Sequence, residues 1–125
     1  MNFDIDFFEE LPQNCPPSDA RIPDDEIYFR LTGSFPPSIE DFYSQKSLFP
    51  NRNYKDECIA RAISLLKTAK ECEKKKKLPY FKNKYVIKIT LNKTSGVVKT
   101  KRKHISWWMS LGFNPIEYCK RVENA

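Results

Sequence analysis

The stretch from Tyr54 to Lys77 constrains this chain most. Cys58, Ala62, Leu65, Ala69 and Cys72 recur at helical spacing, with Ile59, Ile63 and Leu66 beside them and Asp56, Glu57, Arg61, Lys70, Glu71 and Lys74 largely opposite. A face that wide must be buried, so the segment is expected to form the central packing surface. Two readings are open. The periodicity favours one helix from about Lys55 to Lys77, closed by Leu78-Pro79. The pattern Thr68-x-x-Glu71 is a capping box, however, and supports a helix near Lys55–Ala62, an extended Ile63-Ser64-Leu65-Leu66 and a second helix from Ala69.

The flanking segments follow local rules. Asp4 to Leu11 reads as a short helix or ordered arm with Phe3, Phe7, Phe8 and Leu11 on its apolar side, stopped by Pro12, and Pro12 to Asp25 as an extended surface connection. Ile27 to Thr32 alternates as a half-buried strand, with Ile27, Phe29 and Leu31 facing in and Tyr28, Arg30 and Thr32 facing out. Ser38 with Asp41 can start a short helix anchored by Phe42. Tyr85 to Leu91 is the clearest strand. Asn92 to Gly96 is a turn, Val97 to Lys101 the expected hairpin partner of that strand, and His104 to Trp108 its extension or a third strand. Asn114-Pro115-Ile116-Glu117 starts a last helix with Ile116, Cys119 and Val122 inside. The expected architecture is α+β: an acidic N-terminal arm over residues 1–26, then a single domain over 27–125 in which an antiparallel sheet of three to five strands packs on the central helix, with short flanking helices.

Charge divides the 125 residues. The net value of +6 hides a first part, to residue 57, with 5 basic and 12 acidic side chains, and a remainder with 17 and 4. Either the acidic arm lies over part of the basic half, or a basic face stays open for phosphate-bearing partners. No apolar run is long enough to span a membrane, and Met1-Asn2-Phe3-Asp4 lacks the basic-then-apolar pattern of a secretory signal, so a soluble cytoplasmic protein is expected. The four cysteines and single histidine assemble no standard zinc spacing, and Cys58 and Cys72 are expected to be reduced core thiols. Gly33, Gly96 and Gly112 form no phosphate-cradling loop.

Two clusters bear chemistry. Lys74 to Lys77 ends the central segment, and Lys99-Thr100-Lys101-Arg102-Lys103-His104 runs into Trp107-Trp108. Cations beside aromatic rings suit a nucleic-acid backbone and its bases, so Lys99, Lys101, Arg102, Lys103, His104, Trp107 and Trp108 are the candidate binding residues. His104 is also a natural general base near neutral pH, and on a strand it shares a face with Ser106 and Trp108. Arg30 could clamp a phosphate or carboxylate, or pair with Asp41 or Glu57.

The segment Glu57-Cys58-Ile59-Ala60-Arg61-Ala62-Ile63-Ser64 and the later His104-x-x-Trp107-Trp108, preceded by Tyr28-Phe29-Arg30 and Pro36-Pro37-x-x-x-Asp41-Phe42, resembles a group of short uncharacterised bacterial proteins over most of the chain. The resemblance implies a bacterial mobile-element or phage-conflict locus and brings no activity. A looser likeness concerns layout. An arginine on an early strand, a serine before a helix and a later hairpin are similar to small ADP-ribosyltransferase-like domains, which implies that Arg30, Ser64 and His104 grip NAD. The leading expectation is thus a small basic binding module for nucleic acid or an acidic protein surface, without cofactor. The alternatives are an NAD-binding enzyme using Arg30, Ser64 and His104, and a toxin-neutralising protein whose acidic arm makes the contact.

Overall fold

Six antiparallel strands organise the computed structural model, which describes residues 4–123. They are β1 (Glu26–Thr32), β2 (Ile63–Leu66), β3 (Tyr85–Leu91), β4 (Gly96–Lys101), β5 (His104–Met109) and β6 (Cys119–Arg121), in the spatial order β4-β5-β2-β1-β3-β6. Three short helices, α1 (Gln45–Leu48), α2 (Glu57–Ala60) and α3 (Ala69–Lys76), lie between them with 3-10 turns at Ile39–Phe42, Pro79–Phe81 and Pro115–Tyr118. The α+β class is as expected. The sheet has more strands than expected, and it, not a helix, is the central element.

The favoured single helix over residues 55–77 is therefore replaced by the helix–strand–helix alternative. Asp56 Oδ1 accepts from Ile59 N at 3.0 Å to start α2, and Thr68 Oγ1 accepts from Glu71 N at 3.3 Å to start α3. Between these caps β2 lies in the sheet interior, where Ile63 and Leu65 enter the core two residues apart. A helix would satisfy the same apolar run, but not the open ladders of β5 and β1 on either side.

Turn chemistry bends the sheet. β3 and β4 lie four strand spacings apart, about 19 Å if the sheet were flat. Their connection is a tight turn closed by Ser95 N donating to Asn92 O at 3.1 Å, whose ends are within about 7 Å. The sheet must therefore curl until these strand ends approach. The expected β3–β4 hairpin is not a pairing at all, since β3 pairs with β1 and β6 and β4 with β5. Ile63, Leu65, Ile87, Ile89, Leu91, Val98, Ile105 and Trp107 fill the concave side with Tyr28 and Phe42. Trp107 Nε1 donates to Ser95 O at 3.0 Å and pins the turn to that core.

The arm is extended, not helical. Phe7 pairs with Ser110 in an isolated bridge, so its neighbour Phe8 points the other way. Phe8 packs against the inner core and Phe7 against a second cluster of Ala20, Ala62, Val97 and Trp108 on the outer face, a division that a helix could not make. Phe3 lies outside the described residues. Further along, Arg21 bridges to Val98 on β4, and a Cys15–Cys58 disulfide ties the arm to α2. Cys58 is thus not the reduced thiol expected, while Cys72 is free and fully buried on the inner side of α3.

Two further expectations are corrected. The faces of β1 are inverted: Tyr28 and Thr32 are buried, whereas Ile27 is 51% exposed. The nominally polar residues satisfy their heads locally, Tyr28 OH on Glu26 and Thr32 Oγ1 on Ser34 O, and bury the rest. The last helix is a single 3-10 turn, started by Asn114 as expected, because Cys119–Arg121 pairs with β3 instead.

Candidate functional site

β1 and β2 are neighbours that scarcely pair. Phe29 opposite Leu66 is their one register match, whereas β1 runs beside β3 from Glu26–Leu91 to Thr32–Tyr85. Past Phe29 the two strands part, and Arg30 occupies the gap. Its Nε donates to Asp41 O at 2.8 Å and its Nη1 to Ser64 O at 2.5 Å, so the guanidinium takes a carbonyl that a strand neighbour would otherwise engage. The guanidinium lies over the Phe42 ring, its Cζ 6.0 Å from the centroid.

Arg30 makes no ion pair among the described residues. Asp41 is the nearest acid, but its oxygens accept from Gly33 N at 2.8 Å and Ser38 N at 2.9 Å, and Glu57 pairs with Lys46 and Arg61. Burial pulls the Arg30 pKa down to about 10, partly offset by the Asp41 charge. The chain thus holds a half-buried cation bonded only to neutral carbonyls.

Ser64 stands across the gap with its hydroxyl on the outer face of β2. Antiparallel register sets Leu66 opposite His104 and Ser64 opposite Ser106, so all four side chains share that face. Ser64 Oγ and His104 Nε2 are hydrogen-bonded at 2.5 Å. Burial, and secondarily the Lys75 charge, lowers the His104 pKa and keeps the imidazole neutral at neutral pH. A neutral imidazole can accept a proton.

A two-lobed cleft surrounds this junction. The larger lobe, about 680 Å³, is bounded by Arg30, Gly33, Ser38, Asp41, Lys75 and Lys84, with Glu40 exposed on its rim; its three cations outnumber the two acids, and the Asp41 carboxylate is engaged by Gly33 N and Ser38 N. The smaller, about 340 Å³, is mostly apolar and bounded by Tyr54, Ile59, Ala60, Ala62, His104 and Ser106. Ser64 and Gln45 line both. One lobe suits anionic groups and the other a ring or an apolar group. Among the described residues no group of three or more His, Cys, Asp or Glu side chains is placed to hold a metal ion, and no helix is long and apolar enough to cross a membrane.

The sequence-derived binding residues fall into two groups. Trp107 and Trp108 are 0% and 1% exposed, with their indole nitrogens donating to Ser95 O and Cys58 O, so neither offers a ring to a base. Lys99, Lys101, Arg102 and Lys103 are at the surface of the β4–β5 hairpin. Lys99 pairs with Asp19 of the arm at 3.3 Å and Lys103 with Glu71 at 3.2 Å, while Lys101 and Arg102 have no ion-pair partner among the described residues. The arm therefore crosses one edge of the basic surface and leaves the tip open.

Ser64 and His104 meet side chain to side chain on the outer face of β2 and β5, whereas Arg30, opposite Ile87 on the inner face, reaches only the Ser64 backbone carbonyl. Sequence reasoning missed Tyr54, Gln45 and Ile59 as cleft walls. The cationic cluster of Lys74 to Lys77 with Lys82, Lys84 and Lys88, which supplies Lys75 and Lys84, carried a signal. No protein family, curated protein or solved structure matches this chain.

Proposed function

We propose that this chain is an NAD-binding enzyme of ADP-ribosyltransferase-like type, with the dinucleotide in the cleft where β1 and β2 part. The observation that supports the reading most is that Ser64 links two residues distant in sequence, its carbonyl accepting from Arg30 and its hydroxyl bonded to His104, where a cationic lobe adjoins an apolar one. Arg30, with Lys75 and Lys84 nearby, would neutralise the pyrophosphate through fixed donors. The apolar wall of Tyr54, Ile59 and Ala62 would take a ring. Ser64 and the neutral His104 would hold a ribose hydroxyl and accept the proton of an incoming nucleophile.

Buried tryptophans weigh against the base-stacking form of a nucleic-acid module. The test is thermal shift with NAD, ADP-ribose and nicotinamide. Binding of NAD at 100 times its dissociation constant adds about 2.7 kcal/mol of stability. NAD and ADP-ribose should raise the melting temperature of the wild type and not of Arg30→Ala. Equal shifts in both proteins, or none in the wild type, would overturn the reading.

A further inference from the structure

The outer face of the sheet does not end at the cleft. Lys99 lies opposite Ser106, which lies opposite Ser64, and Lys101 lies opposite His104, which lies opposite Leu66. Directly opposed residues in antiparallel strands project from the same side. Two cross-strand rows thus lead from the hairpin cations into the Ser64–His104 junction, across about 10 Å from β4 to β2. Lys75 flanks the same spot from α3, close enough for its charge to be felt at His104.

Cations stand at the two ends of this path, the hairpin at one and Lys75 at the other, with Ser106, Ser64 and the neutral His104 between them. At its outer end Lys101, Arg102 and Lys103 are exposed, and Arg102 takes a left-handed backbone conformation at φ 58° in the hairpin turn. The acids that touch the path are few: Asp19 on Lys99 and Glu71 on Lys103. Asp19 belongs to the arm and is itself mostly exposed, so a competing phosphate can displace it.

We infer that the second substrate of this cleft is a single nucleic-acid strand, laid along Lys99, Lys101 and Arg102 so that one nucleotide reaches the Ser64–His104 junction. The inference rests on the NAD reading above. It draws on charge and register, not on base stacking, so sequence selectivity along the strand is weak. In the transfer, an oxygen or nitrogen of that nucleotide bonds to C1′ of the NAD ribose as the glycosidic bond to nicotinamide breaks. Nicotinamide leaves with the bonding pair as a neutral molecule, and the acceptor's proton passes to His104.

The experiment incubates the full chain with NAD and short single-stranded DNA or RNA, and follows oligonucleotide mass alongside oligonucleotide binding by fluorescence anisotropy across salt. The expected result is an oligonucleotide heavier by one ADP-ribosyl group, and binding that weakens steeply with salt. Lys101→Glu/Arg102→Glu should lose at least tenfold in oligonucleotide affinity and flatten the salt slope while keeping the wild-type melting temperature without ligand. Lys120→Glu, on the opposite edge strand β6, should stay within twofold, and Asp19→Asn should bind more tightly by freeing Lys99. A melting-temperature shift with NAD but no modified or bound oligonucleotide overturns the nucleic-acid inference and leaves the NAD reading standing, as does transfer to protein side chains alone. Absence of the NAD shift overturns both.

Discussion

Replacing Arg30 by methionine separates a cation held for a ligand from a structural strap. Burial that lowers the Arg30 pKa to about 10 corresponds to about 3 kcal/mol against the charged form in the folded protein. Methionine removes that penalty and keeps an apolar stem. Against it stand two lost bonds from a charged donor to Asp41 O and Ser64 O, about 1.5–3 kcal/mol each. The two contributions nearly cancel, so Arg30→Met should unfold in urea with a stability between that of the wild type and about 3 kcal/mol below it. Binding should respond differently. Loss of a charge-assisted contact to a phosphate costs at least tenfold in affinity, so the thermal shift with NAD should shrink or vanish in a protein that is still folded. A loss above about 4 kcal/mol, or failure to fold, would identify Arg30 as a structural link between β1 and β2 and refute the reasoning.

Other elements give independent checks. Gly96 has φ +124°, and a Cβ there would meet Trp108 O at 2.1 Å, so Gly96→Ala should cost more than about 4 kcal/mol; a loss within 1 kcal/mol would show that β4 can shift away from β5. The Cys15–Cys58 bridge spans a sequence separation of 43, and its reduction, or Cys15→Ser with Cys58→Ser, should lower stability by about 4 kcal/mol and red-shift tryptophan emission as Trp108 loses its cover. His104 is the only histidine, and its pKa is lowered in the fold. The unfolded chain therefore takes up the proton first as pH drops below about 6.5. Stability should decline from there, and His104→Gln should flatten that limb in urea midpoints between pH 7 and 5. Arg102→Gly relieves a left-handed residue and should gain about 1 kcal/mol in the same assay.

Local signals were read well where one residue or one turn decides the outcome. The Ser38–Asp41 start, the Asn114 cap, the alternation of Tyr85–Leu91 and the turn at Asn92–Ser95 all lie where expected. The capping box at Thr68 was also visible in the chain, but helical periodicity in the apolar run outweighed it. At that length an apolar segment bounded by charge fits a buried strand and a helix equally well. For the site, Arg30, Ser64 and His104 were nominated by layout, while the Trp107–Trp108 pair was misjudged because rings that prefer burial look the same in sequence as rings that stack on bases. The cleft walls had no sequence mark.

The amino-acid order alone determined the α+β class, the charge asymmetry between acidic front and basic remainder, and most turns. These depend on interactions within a few positions along the chain or on simple sums. Only the tertiary structure decided which strands are neighbours, which face of β1 is inside, that Cys15 meets Cys58, and that β1 and β2 part so that Arg30 reaches the Ser64 carbonyl while the Ser64 hydroxyl bonds His104. Those outcomes come from competition among distant segments for one core and one set of backbone partners, a contest that no local pattern records.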